Sequence, residues 1–243
     1  MKVEKRGTGR PLVYLHPAGG VRWTKVLDAL AETHTVHMPT FPGFDGTPLH
    51  SGIDTRKALA GLVADYIESE IGQACDVMGS SFGGAVALWL AAEHPQLVDH
   101  LVLECPGGLQ AIDPALRSNP QAFRKALFAH PEKVTFARKP DDVEAQNRRM
   151  LAHYGAVDGR EPGLPEALEK IEAATLVVHG TEDRIIGKES VQLLKSRLRK
   201  AFLVYIWDAA HNIEVDQPER MLSVVKSFLE QSDAFMVNRA APR

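Results

Sequence analysis

One serine, one aspartate and one histidine of this 243-residue chain are spaced so that together they could make and break an acyl bond. The serine is Ser81, in Gly79-Ser80-Ser81-Phe82-Gly83, with glycine two positions away on either side. Ser80 does not fit that pattern, because Met78 and Phe82 stand two positions from it. A serine hydroxyl is a weak nucleophile; it needs a base, and the base needs a partner that orients it. Asp183 in "HGTEDRIIG" and His211 in "WDAAHNIEVDQPE" supply an acid and a base, with Glu182 and Asp208 as rival acids.

The glycines have a steric reason. A nucleophile on a sharp strand-to-helix turn takes a strained backbone conformation, and the residues two before and two after it crowd together. Gly79 and Gly83 meet that need, and Gly84 gives the new helix room to pack on the strand. A helix opening at Phe82 aims its amide groups and positive dipole end at the Ser81 hydroxyl. Acyl transfer also needs two backbone donors for the developing oxyanion. The amide of Phe82 is one candidate. The loop "LHPAGG" (Leu15 to Gly20) offers the other, with Ala18 first and Gly19 second, since Pro17 has no N–H. His16 reads as a brace for that loop rather than a proton carrier.

Positioning these residues requires a particular order of elements. Pro11 to His16, His34 to Met38, Cys75 to Gly79, Leu97 to Glu104, Ala174 to Gly180 and Ala201 to Ile206 read as strands, with one short strand near Lys2 to Lys5 before them. Helical patterns run over Arg22 to Thr33, Thr55 to Glu70, Phe82 to Glu93, Glu189 to Arg199 and Pro218 to Gln231, with Asp54 as a start signal for the second. The alternation predicts an α/β fold with a mostly parallel sheet of about six to eight strands, helices on both faces and every strand's C-terminal end on one edge. Ser81, Asp183 and His211 each follow a strand, on the edge where ligands bind.

The alternation breaks once. Residues 109–173 contain only helical pieces, including an Asn119-Pro120 cap, and read as a helical cap inserted into a core formed by residues 1–108 and 174–243. Within it Phe123, Phe128, Phe136 and Met150 are candidate substrate contacts, and Leu127 is a further apolar residue. Arg117, Arg124, Arg138, Arg148 and Arg149, interleaved with Asp141, Asp142 and Glu144, read as a solvated mixed-charge face or as a grip on an anionic group. The tail from Asp233 to Arg243 is expected to fray.

A net charge of −3 with a pI near 6.4 argues against nucleic acid and acidic membranes as partners. No apolar run is long enough to span a bilayer, and the polar N-terminus lacks a signal peptide's apolar region, so a cytoplasmic protein, monomer or homodimer, is expected. The two cysteines, Cys75 and Cys105, lie too far apart along neighbouring strands to pair and read as buried apolar residues. Ten histidines form no metal-binding pair, and His34 and His37 read as strand residues. No metal or organic cofactor is expected.

On "LHPAGG", "FPGFDGT" (Phe41 to Thr47), "MGSSFGG", "HGTEDRIIG" and "AAHNIEVDQPERM", the chain resembles the α/β-hydrolase superfamily over nearly its whole length. The resemblance implies the α/β-hydrolase fold, a Ser81–His211–Asp183 triad, a "PGF" loop beside the substrate cleft, and a cap covering Ser81. Relatives with an aspartate nucleophile, the haloalkane dehalogenases and epoxide hydrolases, are excluded by Ser81. Relatives that cleave carbon–carbon bonds of aromatic ring-fission products usually carry Trp directly after the histidine, where this chain has Asn212. The expected function is therefore a serine hydrolase acting on a small carboxylic ester, thioester or lactone. A carbon–carbon hydrolase, a lyase or cofactor-free oxygenase, and a small-molecule receptor on the same scaffold stand as alternatives.

Overall fold

Within Arg10–Leu15, Leu12 and Tyr14 enter one hydrophobic cluster while Val13 and Leu15 enter another. Side chains alternate along a strand, so a strand apolar at consecutive positions must be covered on both faces, and helices provide the cover. The same split separates Val77 from Met78, Leu101 and Leu103 from Val102, and Val177 from Leu176 and Val178.

The computed structural model describes residues 1–155 and 158–231; the tail expected to fray lies outside the described residues. Strands β1 (Lys2–Arg6), β2 (Arg10–Leu15), β3 (His34–Thr40), β4 (Cys75–Ser80), β5 (Val98–Glu104), β6 (Ala174–Gly180) and β7 (Ala201–Ile206) form one seven-stranded sheet, ordered β1-β3-β2-β4-β5-β6-β7. Only β1 is antiparallel, to β3; every other pairing is parallel. The short N-terminal strand read from the sequence is this antiparallel edge.

The helices are α1 (Lys25–Leu30), α2 (Arg56–Tyr66), α3 (Phe82–Glu93), α4 (Pro114–Ser118), α5 (Pro120–Ala126), α6 (Asp141–Tyr154), α7 (Leu164–Ala167), α8 (Lys188–Arg197), α9 (Ile213–Asp216) and α10 (Pro218–Gln231). Leu59, Ala60 and Val63 of α2, Phe82 and Val86 to Ala92 of α3, and Val191 and Leu194 of α8 fill one face of the sheet. Val26, Leu27 and Leu30 of α1 with Met221, Val225 and Phe228 of α10 fill the other. From Phe82 to Ala92 every residue of α3 is buried, as a helix apolar all round must be. Between β5 and β6 the described residues form helices α4 to α7 and short tight turns, with one isolated bridge, Gly108 to Arg160.

Two start signals differ in quality. Asn119 accepts from the amides of Gln121 and Ala122 ahead of Pro120, the cap read from the sequence. For α2 the cap is Thr55, whose hydroxyl accepts from Ala58 N at 3.0 Å, and not Asp54. Among the described residues no helix is long and apolar enough to cross a membrane.

The start of α3 packs closely on β2 and β4. A Cβ on Gly83 would stand 2.0 Å from the Leu15 carbonyl oxygen, and one on Gly79 would stand 2.6 Å from the Gly83 oxygen. Gly61, in the middle of α2, has nothing within 4 Å of such a Cβ. Gly61→Ala should therefore raise stability by about 0.5–1 kcal/mol, through helix propensity, whereas Gly83→Ala should lower it by about 3 kcal/mol or more. Urea titrations of the two variants beside the parent check both signs.

Candidate active site

Ser81 stands between the end of β4 and the start of α3 with φ 51° and ψ −106°, a conformation that residues other than glycine rarely take. Such a residue is strained by about 1–3 kcal/mol and persists only where its surroundings over-determine it. Here they do. The Ser81 amide donates to the Glu104 carbonyl at 2.9 Å, and the Ser81 carbonyl accepts from Gly107 N at 3.0 Å and Ala85 N at 3.2 Å. Gly84 clears Pro106, just past β5, as well as the strand: a Cβ on it would stand 2.8 Å from Pro106 Cβ and 3.3 Å from the Gly79 oxygen of β4.

The structure brings the three residues singled out above together. His211 Nε2 lies 2.8 Å from Ser81 Oγ, and His211 Nδ1 lies 2.9 Å from Asp183 Oδ2. The other Asp183 oxygen accepts from the amides of Ile185 at 2.8 Å and Ile186 at 3.0 Å, which fixes the carboxylate at the end of β6. Of the rival acids, Asp208 pairs with His130 Nε2 at 2.8 Å, and Glu182 is exposed.

Burial shapes the electrostatics. Burial alone would raise the Asp183 carboxyl, but the charge of His211 and the hydrogen bonds from His211, Ile186 and Ile185 hold it down at about 2. Burial pulls the His211 imidazole down, yet the Asp183 charge and hydrogen bond, helped by Glu104, more than offset this and leave it above the ordinary histidine value. Cys105 Sγ lies with Asp183 and His211 within 4.8 Å, a grouping that could in principle hold a metal ion. Both imidazole nitrogens are already engaged, and burial pushes the Cys105 thiol far up, so this set is poor in free, deprotonated ligands.

The loop after β2 turns tightly, with Gly20 N donating to Pro17 O at 2.9 Å. Ala18 lines the cleft with Ser81 and Phe82; Gly19 is exposed and does not line it. His16 is wholly buried, and its Nε2 accepts from Phe41 N at 3.2 Å, so Nδ1 carries the proton and donates to Pro17 O at 2.8 Å. Burial lowers its pKa to about 4, and the neutral ring ties the loop after β2 to the "PGF" loop after β3.

Residues 12–224 match the alpha/beta hydrolase family. The chain belongs to it. It is 27% identical to the pimeloyl-[acyl-carrier protein] methyl ester esterase of Aeromonas hydrophila, over 94% of this chain and 99% of that protein. It is 28% identical to the 2-hydroxymuconate semialdehyde hydrolase of a Pseudomonas species, over 96% and 91%. Among solved structures, the 2-hydroxy-6-oxo-6-phenylhexa-2,4-dienoate hydrolase of Rhodococcus shares the fold with a TM-score of 0.75 at 21% identity, over 94% of each chain. The chain is an enzyme of the hydrolase type.

The cleft beside Ser81 is about 30 Å³ and mostly apolar, with Phe123, Leu151, Ile185 and Ile186 among its lining. Of the four candidate substrate contacts only Phe123 lines it. Phe136 lies under the Arg22 guanidinium at 4.1 Å, Met150 is buried against Gly43, and Phe128 is not part of the lining. Arg124, Arg138, Arg148 and Arg149 do not line it either. Arg124 and Arg138 pair with Glu144, Arg148 and Arg149 are exposed, and the Arg117 side chain lies outside the described part. The arginine that reaches the cleft is Arg56, from the first turn of α2, a residue that nothing in the sequence pattern singles out.

Glu104 is also unanticipated. It ends β5 opposite Ser80, is buried, and accepts from Glu214 N at 3.1 Å. Burial raises its carboxyl, and burial with the Glu104 charge raises that of Glu214, to which Tyr14 Oη donates at 3.4 Å. The sequence signal was a glutamate closing an otherwise apolar strand.

A serine so placed should react with a fluorophosphonate, and only when His211 is neutral. The labelling rate of Ser81, followed by mass spectrometry, should rise with pH through a midpoint above the ordinary value of 6.5. Asp183→Asn removes the charge that raises His211, so the midpoint should move down, and loss of the orienting bond should slow the plateau rate by about 10²–10⁴-fold.

Proposed function

We propose that the protein hydrolyses a small carboxylic ester, thioester or lactone through an acyl-enzyme at Ser81. The observation that carries this is the unbroken chain of contacts from Ser81 Oγ to His211 Nε2 and from His211 Nδ1 to Asp183, set at the C-terminal edge of the sheet. Ser81 Oγ attacks the substrate carbonyl as its proton passes to His211 Nε2. Asp183 keeps the imidazole's Nδ1–H in place and stabilises the cation that forms. The carbonyl oxygen, now negative, is held by the amides of Phe82 and Ala18. Collapse expels the alkoxide or thiolate, which takes the proton from Nε2 and leaves the acyl group on Ser81. Water, deprotonated by the same nitrogen, then attacks the acyl carbonyl, and the proton returns to Ser81 Oγ as the acid departs.

The Aeromonas hydrophila relative named as a methyl ester esterase supports this reading. A second reading, hydrolysis of a carbon–carbon bond, draws on the Pseudomonas relative named as a semialdehyde hydrolase. Asn212, directly after His211, counts against it, since it stands where relatives of that class usually carry Trp; its backbone amide donates to Leu127 O at 2.9 Å.

A cleft of about 30 Å³ favours short acyl groups. Across p-nitrophenyl acetate to laurate, turnover should be greatest for the shortest acyl chains and fall steeply with length. Ser81→Ala should lose at least about a thousandfold at every chain length. Equal rates for the two proteins would sink the nucleophile assignment, and no turnover of any ester by the parent would turn the search to carbon–carbon substrates.

A further inference from the structure

The loop that carries the Ala18 amide is held from two sides. From the core, Pro17 O accepts from His16 Nδ1 at 2.8 Å and from Gly20 N at 2.9 Å. The peptides are trans, so fixing the Pro17 oxygen aims the N–H of the same peptide, that of Ala18, the opposite way. On the other side lies a polar cluster. Asp45 Oδ2 accepts from Val21 N at 2.7 Å, and Asn147 Nδ2 of α6 donates to Gly19 O at 3.0 Å. The two side chains are bound to each other. Asn147 Nδ2 also donates to Asp45 Oδ1 at 2.9 Å, and Asp45 N donates to Asn147 Oδ1 at 2.9 Å. Lys139 Nζ, 2.5 Å from Asp45 Oδ1, completes the cluster.

The fit is close. Of the three buried residues of α6, Met150 and Tyr154 join the apolar core and Asn147 is the polar one. Its two N–H groups and its oxygen are all used, as a buried amide requires. Asp45 stands at φ 50°, a region that few residues other than glycine enter. Gly20 stands at φ 82°, and a Cβ on it would lie 2.3 Å from Asp45 Oδ1, so the carboxylate fills the space that a side chain would take.

We propose that Asn147 and Asp45 are positioning residues for the oxyanion hole: through them, docking of α6 locks the turn from Pro17 to Val21 and with it the direction of the Ala18 N–H. This rests on the hydrolase reading above, in which that amide stabilises the oxyanion. His16 holds the Pro17–Ala18 peptide. Asn147 and Asp45 hold the Gly19–Gly20 and Gly20–Val21 peptides, through Gly19 O and Val21 N. An oxyanion hole owes its effect to donors fixed before the charge develops, and a turn fixed at one end only would let the donor swing. The segment between β5 and β6 thus acts on the transition state without touching the reacting atoms.

The competing reading is that the cluster merely fastens α6 to the core. Tyr154 provides the control: its Oη donates to Pro42 O at 2.9 Å, a tie from the same helix to the loop after β3 that leaves the Pro17–Val21 turn alone. Asn147→Ala, Asp45→Gly and Tyr154→Phe are compared with the parent. Glycine takes the backbone conformation of Asp45 without strain, so that variant keeps the test decisive if Asn147→Ala does not fold. The first readout is hydrogen exchange at the Gly20 amide, whose bond to Pro17 O none of the substitutions removes. Exchange should be at least about tenfold faster in Asn147→Ala and Asp45→Gly, and unchanged in Tyr154→Phe. The second is turnover of p-nitrophenyl acetate. In the first two variants kcat should fall about tenfold or more, short of the roughly 10²–10³-fold loss of a whole donor. KM should stay within about twofold and the pH midpoint set by His211 should not move, as expected of an interaction made only in the transition state. Tyr154→Phe should keep the parent's kcat. Unchanged Gly20 exchange overturns the proposal whether or not any ester is turned over. Faster exchange with the parent's kcat overturns it too, as does a loss of kcat that Tyr154→Phe shares equally. Failure of the esterase reading is seen in the parent alone, and the exchange rates then still decide whether α6 locks the turn.

Discussion

The whole site depends on one steric conflict. Where α3 leaves β4, the chain has no room for a β-carbon at Gly79 or Gly83, because the carbonyl oxygens of Gly83 and Leu15 already occupy those positions. That closeness bends the backbone at Ser81 into a conformation it would not choose, and three backbone hydrogen bonds keep it there. The bend presents Oγ above the sheet edge, puts the Phe82 amide beside it, and brings the loop after β2 close enough for Ala18 to face the same cleft. Core packing and chemistry are thus the same set of contacts.

Around that turn, charge is buried in an ordered way. Asp183 tolerates burial because it accepts three hydrogen bonds, and its ionised state in turn makes His211 more basic than burial alone would. At the opposite edge, Asp76 is equally buried but balanced by Arg10 at 2.9 Å and His100 at 2.7 Å, a set that joins β2, β4 and β5 where no ligand is expected. Arg56 and Glu161, both buried, pair by the same rule.

The core was legible because its signals are local. The glycine spacing at Gly79 and Gly83 and the strand-end positions of Asp183 and His211 need no knowledge of what packs on them, and α3, α10, β6 and β7 carry the boundaries read from their patterns. The helical segment was not legible in the same way. Which side of a short helix faces a cleft is decided by how it docks, so Phe123 lines the cleft while Met150, equally apolar, fills a gap beside Gly43. Arg56 was hidden for a different reason. Its partner stands 105 residues away, and an arginine in a first helical turn ordinarily points to water. The Thr55 cap was missed by one residue because Asp and Thr are near-equal caps, and only the backbone decides between neighbours.

Ser81 and His211 are 130 residues apart in the chain, and His211 follows the last strand of the sheet. A ribosome adding about 5–20 residues per second therefore makes the serine roughly ten seconds before the histidine it contacts. Until β6 and β7 have joined the sheet, the growing chain carries an ordinary hydroxyl with no base beside it. The Ser81–His211 contact forms last, with the closing of the fold, and a chain cut short before β7 would lack it.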